Sequence, residues 1–97
     1  MNNLTTKLKE YTDELVRATK ARDDYAVEYE IEKARMLFSA EVNAGNQPTR
    51  DAQVTLLLKE KGMYEKMANL RTNGKIAWYK WSAVKSLVDG KKSVIDF

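Results

Sequence analysis

The chain has 97 residues, 43% hydrophobic and 32% charged, with a net charge of +3. That is one small domain, 1–97, too apolar for a disordered segment. It has no cysteine and no histidine, which excludes disulfides, zinc sites built on those residues and imidazole catalysis.

The N-terminal MNNLTTKLKEYTDELV has no apolar signal core, and no run of residues reaches membrane-spanning length. The expectation is a protein of the cytoplasm with no membrane partner. The charge is uneven. Residues 1–25 carry five basic and five acidic side chains, and residues 26–69 carry six and seven. Residues 70–97 carry six basic side chains against Asp89 and Asp96 alone.

The first predicted helix runs over about 4–43, with Asn3 as its cap. Leu4, Leu8, Tyr11, Leu15, Ala18, Tyr25, Tyr29 and Met36 recur at alternating steps of three and four, with Arg22 and Glu32 in the same row. That is the spacing of a heptad seam. The stretch NAGNQPT then breaks the chain, giving a predicted loop at 44–48. Gly45 suits a left-handed helix end, Pro48 cannot continue a preceding helix, and Thr49 suits the next cap.

A second helix is predicted over about 50–89. Its stripe is Leu56, Met63, Met67, Leu70, Gly74, Ala77, Trp81, Val84 and Val88, with Glu60 as a polar interruption. The phase passes unchanged through Asn73-Gly74, so that pair is read as helix interior despite the usual turn meaning of Asn-Gly. The two stripes mirror each other about the loop. The predicted fold is therefore all-α, a long antiparallel two-helix hairpin of coiled-coil type. It pairs Met36 with Leu56, Tyr25 with Met67, Ala18 with Gly74 and Tyr11 with Trp81. Small meets small at Ala18 and Gly74, which reads the glycine as a point of close helix approach. Glu32 falls opposite Glu60, with Lys33 or Lys59 to neutralise them. Asp89-Gly90 stops the helix, leaving a tail at 90–97 that ends in Phe97.

Two surfaces lie off this seam. Val27, Ile31, Ala34 and Phe38 form an apolar row on the far side of helix 1, joined by Leu57, Leu58 and Tyr64 from helix 2. A hairpin cannot bury both faces, so the row predicts an oligomer or partner interface. A break near Gly62 or Gly74 would instead fold a third helical segment over it. The second surface is basic. Arg71, Lys75, Trp78 and Lys85 share one helical face, with Lys80 on another, and a tryptophan among cations suits phosphates and stacked bases.

Catalysis finds no support. Glu28, Glu30 and Glu32 point to different sides of a helix, and no glycine-rich phosphate loop exists. No enzyme activity, cofactor, metal or small-molecule substrate is expected.

The parts YEIEKARM, TRDAQV and SAVKSL, with a Lys- and aromatic-rich distal helix, carry a resemblance. From about Tyr25 to Lys92 the layout is similar to small helical-hairpin proteins from early gene clusters of phages of Gram-positive bacteria. Asn73-Gly74, Trp78 and Trp81 depart from that pattern. The resemblance implies a phage or prophage accessory protein in the host cytoplasm, near replication or recombination genes, and supplies no site residues. The expected function is binding: nucleic acid, or a replication protein, held by a self-associating hairpin. The alternatives are a module that inhibits a host defence or replication protein, and an assembly scaffold or chaperone.

Overall fold

The computed structural model describes residues 2–39, 42 and 45–95. Three helices account for nearly all of them: α1 (Asn2–Leu37), α2 (Gln47–Glu60) and α3 (Met63–Ile95). No strand occurs among the described residues. The molecule is a rod with extents of 66 × 20 × 16 Å.

Nothing in α1 interrupts its 36 residues, because the segment contains neither glycine nor proline. It packs mainly against α3, and the two run antiparallel. Lys61 reaches Glu32 at one end, and Trp81 reaches Thr12 toward the other. Where α2 joins them the core is deepest. Tyr25, Tyr29 and Met36 of α1 meet Val42, Val54 and Leu58, with Met67 of α3 beneath. Val54, Leu58 and Met67 are 0–1% exposed, each such burial contributing about 1.5–3 kcal/mol. Further along, α1 and α3 form a bare pair, in which Ala77 and Val84 are buried.

The second predicted helix is two helices. The chain breaks at Lys61-Gly62, where Gly62 has φ +76° and its N–H donates to the Lys59 carbonyl at 3.0 Å. A left-handed glycine after a lysine-rich helix end is a common C-terminal stop. Across Asn73-Gly74, α3 is continuous. The break resets the helical phase. Leu56, placed on the seam by spacing, is 60% exposed, whereas Val54 and Leu58 turn inward. Downstream, the stripe from Met63 to Val88 is buried or half-buried at each apolar position.

The other boundaries also move. Helix α1 stops at Leu37, not near 43. Val42 turns back into the core at 7% exposure, its N–H donating to the Ser39 carbonyl at 3.2 Å. Arg50 Nη2 donates to the Leu37 carbonyl at 2.7 Å and ties α2 to that end. Helix α2 starts earlier than expected, at Gln47. Its cap is Asn46, whose Oδ1 accepts from the Thr49 N–H at 3.0 Å, with Pro48 in the first turn. Thr49 is thus inside the helix, because a side-chain acceptor three residues back satisfies its N–H. The positive φ belongs to Gly62, not Gly45. The tail predicted at 90–97 is helical to Ile95, while Phe97 and the predicted helix residues 40, 41 and 43 lie outside the described residues.

Glu32 meets cations from two elements. It accepts from Arg35 on its own helix, with Arg35 Nε at 3.1 Å, and from Lys61 Nζ at 2.9 Å. Hydrogen bonds from those two cations hold its carboxyl below the usual carboxylate range, against an opposing effect of burial. Lys33 and Lys59, the expected neutralisers, play no part in this cluster: Lys59 lies over the Tyr64 ring at 5.0 Å.

Candidate nucleic-acid interface and apolar face

The antiparallel pairing of α1 and α3 leaves a groove on each flank of their seam. One, of about 360 Å³, is lined by Leu15, Thr19 and Arg22 of α1 and by Gly74, Lys75, Trp78 and Tyr79 of α3. Gly74 makes its floor. Arg22 lies over it, its Nη1 3.6 Å from the point a Cβ on residue 74 would occupy. Trp78 is 52% exposed and Tyr79 64%. Their rings meet edge to face with centroids 5.4 Å apart, so each braces the other while a ring face stays open.

The charges of this groove are unevenly neutralised. Arg22 Nε donates to Asp23 Oδ1 at 3.0 Å. Lys75 and Arg71 are exposed and enter none of the ion pairs among the described residues. Arg71 stands one turn before Lys75, and its charge draws down the Tyr29 phenol, whose pKa burial nonetheless raises.

Of the five residues expected to contact nucleic acid, Lys75 and Trp78 come together in the groove, and Arg71 shares their face. Lys80 does not. It lines the opposite flank with Glu14, Arg17 and Asn73, donates to Glu14 Oε1 at 3.3 Å and lies over the Tyr11 ring. Lys85 donates to both carboxylate oxygens of Asp89 at 3.1 Å. Helical spacing hides the first pairing, because Glu14 arrives from a different helix, whereas Lys85 and Asp89 are four residues apart on α3. Sequence reasoning also missed Arg22 as a groove residue. Its signal was present: a basic residue inside an apolar seam must leave the seam sideways to reach water. Trp81, one residue position from a full turn past Trp78, turns inward, and its indole N–H donates to the Thr12 hydroxyl at 3.1 Å.

The apolar face divides likewise. Val27 (61%), Ile31 (64%) and Phe38 (89%) are exposed in one row with Ala34. Leu58 is core at 1% exposure, and Leu57 is half-buried against it. Leu58 is therefore no part of an external surface and Leu57 only in part, because α2, which ends ahead of the break at Gly62, turns them toward the core. Tyr64 is 42% exposed.

Among the described residues no cluster of acidic side chains stands ready to hold a metal ion, and no helix is long and apolar enough to cross a membrane. Over the described residues, fold and surface together define an all-helical protein of three helices with an open basic and aromatic groove and a bare apolar row. Compared with known proteins, the chain matches no family model, no curated protein and no solved structure.

Proposed function

We propose that this chain is a non-catalytic accessory protein of a phage or prophage that self-associates and binds single-stranded nucleic acid beside the replication or recombination machinery. The phage setting rests on the sequence resemblance. The binding reading rests on one observation: Trp78 stands half-exposed at the mouth of a groove beside Lys75, a cation without an ion-pair partner among the described residues. An open indole face stacks on any base, and neighbouring cations track the phosphates, which gives affinity without sequence preference. Arg71, Lys75 and Arg22 are the phosphate contacts in this reading; Trp78 and Tyr79 are the stacking platform. The long hairpin-like pair of α1 and α3 serves as the rigid frame that holds the platform open.

The test is fluorescence anisotropy of labelled single- and double-stranded DNA at low and near-physiological salt. Saturable binding of the single strand, weaker at higher salt and lost with Trp78→Ala, supports the reading. No binding at low salt overturns it.

A second reading, a module that docks on a host defence or replication protein, is favoured by Phe38 at 89% exposure, since so open a phenyl ring is a typical buried anchor of a protein interface. Nuclease-insensitive, stoichiometric binding to one purified host protein, lost with Phe38→Ala, would select it.

A further inference from the structure

The apolar row of α1 has a property that an arbitrary docking face lacks: it is complementary to itself. Val27, Ile31 and Ala34 of α1 and Phe38 in the turn directly after it follow steps of four, three and four, so the first three occupy the inward positions of a heptad seam on the side away from the monomer core and Phe38 extends that row by one position. We propose that a second copy of this chain seats on this row, its α1 running antiparallel, with the twofold axis passing between Ile31 and Ala34. The inference rests on the self-association reading above and gives it a register.

Three observations carry it. The first is size. Antiparallel pairing about that axis sets Ile31 against the partner copy's Ala34 and Val27 against its Phe38, so each large side chain meets a smaller one, as interdigitated packing requires. The second is charge. Glu28 and Arg35 flank the row on one side and are both exposed. The same axis brings Glu28 of each copy beside the other's Arg35, and the pair occurs twice. Arg35 already holds Glu32, and a guanidinium has donors enough for a second carboxylate.

The third observation is extent. Beyond Val27 the row meets Asp23, Asp24 and Lys20, of which Lys20 and Asp24 pair with each other at 2.7 Å. A parallel arrangement would lay these charges against their own copies, with like facing like along the rod. The antiparallel arrangement overlaps the rods only at their loop ends and points the rest of each rod outward. It also leaves both Trp78 grooves uncovered, one at each end, so that two weak sites act on one strand with the gain of bivalency. An isologous twofold closes, so the assembly stops at two.

The chain has no cysteine, so engineered thiols are the sole ones present. Wild-type mass is measured by sedimentation equilibrium over a wide concentration range. Ile31→Cys and Ala34→Cys chains are then oxidised separately and as an equal mixture. The expected results are a mass twice the 11.2 kDa of one chain and a disulfide-linked dimer dominant in the mixture and scarce in either sample alone. Ile31→Glu, an exposed substitution, should return the protein to single chains with unchanged helix content. A single-chain mass at every concentration overturns self-association and this inference together. A dimer whose thiols join in the separate samples overturns the antiparallel register and leaves self-association standing. An assembly larger than two overturns the closed twofold.

Discussion

The Arg22 guanidinium lies across Gly74, with Nη1 3.6 Å and Cδ 3.8 Å from where a Cβ on residue 74 would sit. The glycine is therefore covered by a flexible side chain from the facing helix, not by its backbone. Close helix approach, the role its pairing with Ala18 suggested, is not what this glycine provides.

A substitution follows from that geometry. Gly74→Ala meets only ordinary van der Waals contact and gains helix propensity, so it should stabilise the fold by about 0.5–1 kcal/mol. Gly62→Ala should do the opposite, costing about 1–2 kcal/mol, because φ +76° is strained for any residue with a Cβ. Urea denaturation of the two variants measures both signs; a Gly74→Ala midpoint below wild type would contradict this account of the groove floor.

The rotation of α2 is tested by two leucines, two positions apart. Leu58→Ala empties a site that is 1% exposed and should cost about 2–5 kcal/mol. Leu56→Ala changes a 60% exposed side chain and should stay within about 0.5 kcal/mol of wild type. Thermal melts of the pair reverse their order if α2 continues the phase of α3.

Trp81 and Thr12 join α3 to α1 through one hydrogen bond of 3.1 Å. A double-mutant cycle with Trp81→Phe and Thr12→Val should return a coupling of about 0.5–1.5 kcal/mol. Additive effects would mean that the indole contributes through packing alone.

Acid weakens one local cluster. Because Arg35 and Lys61 depress the Glu32 carboxyl in the folded state, the unfolded chain binds the proton more readily. The contribution is present above the unfolded carboxyl value, 4.5, and disappears as pH falls through the lower folded one. Glu32→Gln should flatten the loss of melting temperature below that pH and leave the alkaline side alone. At high pH the sign is reversed for Tyr29. Burial raises its phenol, so stability is full below the ordinary value of 10.0 and falls as pH rises through the folded one.

The cations should divide by their partners. Arg71→Ala with Lys75→Ala should lower the salt slope of single-strand binding by about 1.4. Lys80→Ala with Lys85→Ala should leave it unchanged, since Glu14 and Asp89 already neutralise those lysines. Salt titrations of both double variants, read by anisotropy, check the division.

Some of this protein is written locally. The all-helical character, a first break just ahead of Pro48 and the inward stripe from Met63 to Val88 all follow from side-chain period and backbone constraint within a few turns. So does the exposed row from Val27 to Phe38, whose spacing puts it opposite Tyr25 and Tyr29 whatever the rest of the chain does. Other features needed the packed structure. A helical glycine costs about 1 kcal/mol at residue 62 or 74 alike, so local preference cannot choose between them. The burial of Val54 and Leu58 against Tyr25, Tyr29 and Met36 favours the break at Gly62. That choice turned Leu56 outward, drew Val42 back into the core and made Arg50 a cap for α1. The packing of α1 on α3 brought Glu14 to Lys80 and Arg22 into the groove. These contacts lie across helices far apart in sequence, where relative rotation is decided by the shared core and by nothing nearer.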